Sequence, residues 1–311
     1  MVNDSLRAAG TPAAIETDAL IIGAGPVGLF QAFQLGLLEI SAHIVDALPY
    51  AGGQCVELYG DKPIYDIPGI PFCTGRELIA QLQKQVAPFK PVMHLGQLVS
   101  SMQRQADGRL LLETSSGTIF LAKTLFIAAG VGAFQPRMPN VEGLAAHVGK
   151  QVHLALAEDA AWVGRDVLVL GDSDNALQAA ITLAGQTHRP KSVTLMHRRN
   201  VFTAEPATTA AFQSRVDAGQ IRFVAGQPCG MDAANGQITG LHYLDADGTQ
   251  QILPMDEVLL QLGLSPKLGA IAHWDLDMER RQLKVRTEDF ATDQPGVFAV
   301  GDINTYPGKK K

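Results

Sequence analysis

Cysteine is scarce in this chain of 311 residues: Cys55, Cys73 and Cys229 are the three present, and they are widely spaced. Such sparse cysteines exclude a small domain stapled by disulfides and a cysteine-rich metal site. We therefore predict three reduced thiols and no metal ligands. For Cys55, which follows two glycines, two interpretations stay open: a reactive thiol and an inert buried one.

The sequence also lacks an excess of positive charge and long apolar runs. Its net charge of −6 argues against general nucleic-acid binding, which requires a basic surface. No apolar stretch approaches the roughly 18 residues that span a membrane. Residues 1–17 are small and polar and lack the apolar core of a signal peptide. We expect a frayed tail and a cytoplasmic protein.

Apolar residues make up 46% of the chain, and there are 31 glycines, whereas charged residues make up 18% and aromatic residues 6%. This composition is typical of a globular α/β protein with a large core and many short turns. The length suits about two domains rather than one core.

A glycine pattern after an apolar strand organises the first part of the chain. Gly23 allows a tight turn, Gly25 lets a pyrophosphate approach the backbone, and Gly28 lets the following helix pack on the strand. A second apolar strand, residues 42–45, ends in Asp46 about 20 residues later, where a ribose-binding acid belongs. The alternative is a glycine-rich turn followed by an unrelated acid. We interpret the pattern as a dinucleotide site.

The second half of the chain repeats this order of elements. An apolar strand, residues 166–170, leads to a turn that begins with Gly171, and a helix follows. The next strand ends in His197, Arg198 and Arg199. Two arginines at that position suit the 2′-phosphate of NADP, because guanidinium binds phosphate as a fork. A solvated basic turn is the alternative. Two dinucleotide sites in one chain imply electrons passing from NADPH to a bound flavin.

The second turn departs from the glycine pattern. Asp172 and Ser173 stand where close approach of a pyrophosphate favours glycine, and Asp172 places a negative charge beside a polyanion. Ser173, Asp174 or Asn175 could instead cap the helix. The sequence therefore predicts poor affinity for NADPH.

Other segments carry more local predictions. Residues 74–87 are predicted to form a helix that Thr74 caps, with Glu77 three residues further on. Residues 92–99, 109–114 and 118–122 are separated by turn signals and predict a small antiparallel meander. Residues 135–139 and 263–266 are expected to connect two domains.

Several segments present groups that suit a flavin. The glycine pair before Gln54 suits a loop against a flat ligand, with the Gln54 amide free to bond ring heteroatoms. Phe134 follows a buried strand that ends in small residues, and it could cover a ring. Asp302 follows the last apolar strand, where it could accept hydrogen bonds from ribityl hydroxyls or cap a helix.

These residues together resemble the thioredoxin-reductase-like ferredoxin(flavodoxin)–NADP reductases from residue 18 to residue 309. The resemblance rests on these segments: Gly52-Gly53-Gln54, Leu58-Tyr59, residues 62–67, residues 128–134, His197-Arg198-Arg199 with Phe202, and Gly301-Asp302. The resemblance implies that FAD is held by these residues: Asp46, Gln54, Tyr59, Val99, Phe134 and Asp302. It implies that Tyr59 stacks on the flavin ring and that the protein is a homodimer.

The resemblance also implies an α/β fold with two Rossmann-like, three-layer (ββα/βα) dinucleotide-binding domains. The flavin domain would be discontinuous in sequence, comprising residues 1–140 and 263–311, with an NADP domain at residues 141–262. Two departures stand out. The Cys-x-x-Cys of thioredoxin reductases is missing, which excludes that dithiol chemistry. The family's C-terminal helix and tail are also missing, from which we expect weaker retention of FAD.

The predicted function is hydride transfer from NADPH to FAD, followed by one-electron steps to ferredoxin or flavodoxin. In the catalytic site, Tyr59 is the platform for the ring and Gln54 a polar contact to it, because the cofactors carry the chemistry. The predicted NADP site comprises Gly171, Ser173, Asn175, His197, Arg198 and Arg199. Candidates for a basic patch that steers an acidic partner are Arg76, Lys84, Lys90, Arg137 and Lys309 to Lys311, and solvated surface charge is the favoured alternative for any single one. The alternatives are a flavin or disulfide reductase and a flavin-binding protein without turnover.

Overall fold

The computed structural model describes residues 13–156, 162–187 and 189–309. These residues form two compact units. The first unit comprises the chain up to Phe134 and again from Pro266, and the second comprises Gln135–Ser265. The first unit is therefore discontinuous in sequence, because the second is inserted into it.

Helices and strands alternate at the start of each unit, and runs of consecutive strands make up the rest of the described chain. Up to the first crossing between units, they are β1 (Ile15–Ile22), α1 (Pro26–Leu37), β2 (Ala42–Asp46), α2 (Gln54–Glu57), β3 (Pro63–Ile64), β4 (Cys73–Thr74), α3 (Gly75–Val86), β5 (Val92–Leu95), β6 (Val99–Arg104), β7 (Leu110–Thr114), β8 (Ile119–Ile127) and β9 (Ala133–Pro136). The second unit continues with β10 (Val152–His153), β11 (Asp166–Leu170), α4 (Asp174–Gly185), β12 (Ser192–His197), α5 (Pro206–Asp217), β13 (Arg222–Ala225), β14 (Gln227–Ala234), β15 (Gln237–Leu244), β16 (Gln250–Pro254), β17 (Glu257–Leu260) and β18 (Leu264–Lys267). The chain ends with β19 (Met278–Glu279), β20 (Gln282–Lys284), β21 (Val297–Ala299) and β22 (Asn304–Thr305).

A mixed sheet in the order β5-β2-β1-β8-β7-β6 is the centre of the first unit. Strands β5, β2, β1 and β8 run parallel, so that their carboxyl ends share one edge. The carboxyl-terminal residues of β8, 125–127, pair in parallel with β21. The predicted α/β fold is confirmed, and the last apolar strand of the sequence returns to the sheet formed by the first.

The predicted meander is partly wrong. Residues 92–99 do not form one antiparallel strand, because β5 pairs in parallel with β2 at the sheet edge. The meander is β6-β7-β8, and β8 continues to Ile127, beyond the predicted end at residue 122. Hydrophobic alternation predicts that a segment is extended, but it does not predict which neighbour the segment pairs with.

Local sequence explains where the helices of the first unit begin. Pro26 opens α1, where its fixed φ suits the first helical position and its missing N–H is not needed. Thr74 and Glu77 form the predicted capping box, in which each side chain accepts the other's backbone N–H at the start of α3. Within the described ranges, no helix is long and apolar enough to cross a membrane.

Both faces of β1 are buried. Leu20 and Ile22 pack into one apolar cluster with residues of β7 and β8, while Ala19 and Ile21 pack against α1 on the other face. Alternate residues of a strand point to opposite faces, so this continuous apolar run serves two cores. Each fully buried Leu or Ile contributes roughly 1.5–3 kcal/mol relative to exposure.

The second unit has the same layered plan around a parallel sheet, in the order β10-β17-β11-β12-β13. On β11, Val167 and Val169 pack towards α4, and Leu168 and Leu170 pack into the opposite core. That opposite core also contains residues of β15, the centre of an antiparallel sheet β14-β15-β16. The inserted unit is thus a second α/β layer structure with its own core.

Candidate functional site

Gly23 and Gly25 lie between β1 and α1, whereas Gly28 lies in the first turn of α1, and the three glycines have different environments. A Cβ on Gly23, which has φ +111°, would lie 2.4 Å from the carbonyl oxygen of Ala128, and a Cβ on Gly28 would lie 1.8 Å from that of Gly23. A Cβ on Gly25 would meet nothing within 4 Å. Gly23 and Gly28 are therefore required for packing, whereas Gly25 faces open space that a ligand could approach.

Asp46 joins the end of β2 to this glycine turn. Its carboxylate accepts hydrogen bonds from the backbone N–H of Ala24 at 2.6 Å and of Leu48 at 2.8 Å. Burial raises the pKa of Asp46 above its usual value, although both backbone hydrogen bonds act in the opposite direction. The turn itself thus orients the Asp46 carboxylate at the end of β2. Ala24 contributes through its backbone N–H, so its residue type gave no signal of this role.

A cleft of about 250 Å³ opens beside the turn. The predicted flavin-site residues that line it are Gly23, Gly25, Asp46, Gln54, Tyr59, Val99, Phe134 and Asp302. Gly28 lies outside the lining, beneath the turn. Leu268 and Ile271, which no sequence pattern indicated, also line the cleft, together with Gly130. The small-residue run at the end of β8 was the available signal for Gly130.

Gln54 and Asp302 meet at this cleft. The Gln54 side-chain amide donates a hydrogen bond to the Asp302 carboxylate at 3.0 Å. A Cβ on Gly130, which has φ +57°, would lie 2.9 Å from the same amide nitrogen, so glycine leaves room for it. The assigned contact of Gln54 to a ring therefore competes with a contact that the protein already provides.

Lys309 holds the turn that carries Asp302. Its ammonium donates hydrogen bonds to the backbone carbonyls of Gly301 and Asn304, each at 2.8 Å, and to the Asn304 side chain at 2.6 Å. The Lys309 ammonium is therefore bound to backbone and side-chain oxygens of this turn, whereas its role in steering a partner stays a prediction. Lys310 and Lys311 lie outside the described residues.

The other candidates for a basic patch have separate surroundings. Arg76 forms an ion pair with Asp61 at 3.3 Å. The Arg137 guanidinium donates to the backbone carbonyl of Leu264 at 3.1 Å. Lys84 and Lys90 are exposed.

Two side chains at the mouth of the cleft differ in their availability. Tyr59 is 44% exposed, and the Lys62 ammonium lies over its ring at 5.4 Å from the centroid, so a cation already contacts this aromatic side chain. Cys55 is half-buried, and burial, followed by the charge of Asp302, raises the pKa of its thiol. A raised pKa favours the unreactive thiol over the thiolate.

These features fit a dinucleotide with a flat ring system. The open side of Gly25 leaves space for phosphates at the N-terminus of α1, where backbone N–H groups and the helix dipole favour an anion. Asp46 offers a carboxylate for a ribose, and apolar side chains with Tyr59 offer surfaces for rings.

The residue that precedes α4 has the same extended backbone conformation as the residue that precedes α1. Ser173 precedes α4 with φ −88° and ψ 171°, and Gly25 precedes α1 with φ −74° and ψ −176°. A Cβ on Gly171 would lie 2.4 Å from the carbonyl oxygen of Gln261, so this glycine is required for packing. Ser173 caps α4 by position but makes no side-chain capping hydrogen bond. Ser173 therefore has a side chain at the helix-preceding position that Gly25 holds in the first unit.

Asp172 turns towards the end of β12. Its carboxylate lies 3.7 Å from Nε2 of His197, and both side chains are partly buried. Arg198, Arg199 and Asn175 are exposed. The structure thus brings His197, at the end of β12, next to the carboxylate of Asp172 in the turn.

Among residues 13–156, 162–187 and 189–309, no group of three or more histidine, cysteine or acidic side chains could hold a metal ion.

The two glycine turns and their parallel sheets define a two-domain α/β dinucleotide-binding fold. The family model described as "Pyridine nucleotide-disulphide oxidoreductase" matches residues 17–310, and the chain belongs to that family.

Similar proteins agree with this family. A ferredoxin–NADP reductase of Polaromonas naphthalenivorans is 54% identical over 298 residues, covering 96% of this chain and 81% of that protein. A ferredoxin–NADP reductase of Polaromonas sp. strain JS666 is 53% identical with the same coverage. The structure of T. acidophilum thioredoxin reductase has a TM-score of 0.53 at 22% identity, covering 95% of this chain and 92% of that one. That structural similarity concerns the fold alone.

Proposed function

We propose that this chain is a ferredoxin–NADP reductase that passes electrons between NADPH and ferredoxin through FAD. The observation that carries the proposal is the open cleft beside Gly25, lined by Asp46, Tyr59 and Asp302. It occurs in a chain that is 53–54% identical to ferredoxin–NADP reductases over 96% of its length. A fold alone would not support one activity, because related folds serve many reactions.

The chain's own residues bind FAD and orient it. FAD, when bound, supplies the hydride-accepting and one-electron chemistry, so no side chain has to act as acid or base. Gly23, Gly25 and Asp46 would hold the adenosine diphosphate part. Tyr59 would cover one face of the flavin ring.

The remaining lining residues have matching proposed roles. Asp302 would accept hydrogen bonds from the ribityl chain, with Gln54 holding its carboxylate. Val99 and Phe134, which are 4% and 7% exposed, would provide apolar surface. Gly28 would act indirectly, by letting α1 pack close to the turn.

We propose that the second unit binds NADPH. In the proposed division, residues 1–140 and 263–311 form the FAD domain and residues 141–262 the NADP domain. Gly171, Ser173 and Asn175 would lie along the phosphates at the start of α4. His197, Arg198 and Arg199 would bind the 2′-phosphate, because they lie at the carboxyl end of β12, the strand that neighbours β11.

The finer assignments follow from the family resemblance. We propose a homodimer in the cytoplasm and flavodoxin as a second acceptor beside ferredoxin. Light scattering on the purified chain tests the oligomeric state. A monomer at micromolar concentration would contradict the homodimer.

The visible spectrum of the purified protein, before and after NADPH, tests both cofactors together. A yellow protein that bleaches with NADPH is the expected result. Stopped-flow reoxidation by ferredoxin, flavodoxin, free flavin and a disulfide then identifies the acceptor. Fastest reoxidation by free flavin or disulfide would contradict the proposed activity and favour another reductase.

A second candidate is a flavin-binding protein with little turnover. Asp172 favours it, because a carboxylate stands in the turn where the NADPH phosphates would bind. Bound FAD that NADPH fails to bleach, but that bleaches in an Asp172→Gly variant, would identify this alternative.

A further inference from the structure

The segment that joins β12 to α5, residues 198–205, is fixed at three points within its unit. Phe202 packs edge-on against two phenylalanine rings, with centroid distances of 5.3 and 5.4 Å. The backbone N–H of Thr203 donates to the carbonyl oxygen of Asp172 at 2.9 Å. Glu205 provides the third point. The segment is therefore attached to the turn before α4 and to the core.

The third attachment is made by Asp174. Both of its carboxylate oxygens accept from the backbone N–H of Glu205, at 3.0 and 3.1 Å. Asp174 is the first residue of α4, and Glu205 is the residue that precedes α5. A negative charge is favoured at helix N-termini. One carboxylate thus joins the starts of two helices.

Arg198 and Arg199 lie within this attached segment. They follow the last residue of β12 and precede Phe202, and both are exposed. An arginine fork binds phosphate well only when its backbone is correctly placed. The three attachments do not contact the two guanidinium groups, but they restrict the backbone that carries them.

We propose that Asp174 is a positioning residue for recognition of the 2′-phosphate of NADP. It fixes the arginine-bearing segment through Glu205 and does not itself touch the nucleotide. The inference rests on the proposed function, in which Arg198 and Arg199 bind that phosphate. A carboxylate that only stabilised the start of α4 would affect all nucleotides equally.

The test compares two ligands that differ only in the 2′-phosphate. Calorimetry on the full, FAD-loaded chain gives the dissociation constants of 2′,5′-ADP and 5′-AMP. Asp174→Ala is expected to weaken 2′,5′-ADP about tenfold, the effect of losing a hydrogen bond to a charged group. Binding of 5′-AMP should not weaken, because loss of a negative charge at the start of α4 favours a phosphate there. Asp247→Ala, the same change at an exposed turn of the second unit, should alter neither.

Two further variants keep the test decisive. Asp174→Asn retains the shape and one acceptor oxygen but not the charge, so a loss of about threefold is expected for 2′,5′-ADP alone. If Asp174→Ala does not fold, the binding of the two nucleotides to Asp174→Asn tests the positioning role instead. In an Arg198→Ala/Arg199→Ala background, Asp174→Ala should have no further effect, because the groups that it positions are gone.

The outcomes separate the inference from the function on which it rests. Equal weakening of both ligands, or of neither, would overturn the positioning role while the arginines keep theirs. A wild-type chain that binds both ligands equally would contradict the role of Arg198 and Arg199, and the inference with it.

Discussion

The side-chain amide of Gln54 donates to the carboxylate of Asp302 at 3.0 Å, although 248 positions separate the two residues in the sequence. The bond joins the start of α2 to the turn that follows β21. Both residues line the cleft beside the first glycine turn. The two parts of the discontinuous unit therefore contribute to one site.

Asp302→Ala is expected to weaken FAD binding about tenfold, because it removes the acceptor for the ribityl hydroxyls and leaves the Gln54 amide without its partner. Fluorescence of released flavin on dilution gives the dissociation constant. Glu279→Ala, an exposed acid of the same unit, serves as the control for charge. If Glu279→Ala weakens FAD binding as much as Asp302→Ala does, the effect comes from net charge and not from a contact between Asp302 and FAD.

Gly25→Ala and Gly28→Ala are expected to lower different quantities: the first the affinity for FAD, the second the stability of the fold. The methyl group added by Gly25→Ala would meet nothing in the protein, so the fold tolerates it, but it would project into the space proposed for the phosphates. The change at Gly28 places a Cβ 1.8 Å from a carbonyl oxygen and should cost about 1–3 kcal/mol of unfolding free energy.

Urea unfolding and FAD titration distinguish these two glycine variants. Gly25→Ala should lose FAD affinity at near-normal stability, and Gly28→Ala should lose stability first. FAD binding that is unchanged in Gly25→Ala would mean that the phosphates do not approach this turn.

Asp172→Asn is expected to tighten NADP⁺ binding about tenfold, because it removes a negative charge from the turn where the phosphates bind and keeps the side-chain shape. Calorimetry measures the effect, with Asp247→Asn as the matched change of charge elsewhere in the unit. Weaker binding in Asp172→Asn would instead identify Asp172 as an acceptor for a nucleotide hydroxyl.

His43 and His94 should make the first unit less stable in mild acid. Nδ1 of His43 and Nε2 of His94 lie 2.9 Å apart on neighbouring parallel strands. Burial lowers the pKa of both, and the charge of His94 lowers that of His43 further. Between those lowered values and about 6.5, the unfolded chain binds more protons than the folded chain. The pair's contribution is therefore present above about pH 6.5 and is lost as the pH falls.

Urea unfolding at pH 7.5 and 5.5 tests this dependence. A His43→Gln/His94→Gln variant should lose less stability between the two pH values than the wild type, whereas His273→Gln, at an exposed position, should not differ from it. Identical pH dependence in the double variant and the wild type would remove the pair as its cause.

The sequence by itself determined the elements whose causes are local. Gly23 to Gly28 between an apolar strand and a helix predicted a turn that the structure contains, and Thr74 with Glu77 predicted the start of α3 correctly. Backbone conformation and capping depend on residues within about one turn of chain, so a pattern over a few positions is sufficient.

Only the tertiary structure decided the pairings between distant residues. It paired β5 with β2 in parallel, joined Gln54 to Asp302, and bound the Lys309 ammonium inside the fold. It also directed Asp174 to Glu205 rather than to its own helix. These contacts depend on which surfaces are buried together and on polar groups finding partners there, and such choices are made by packing across the whole unit.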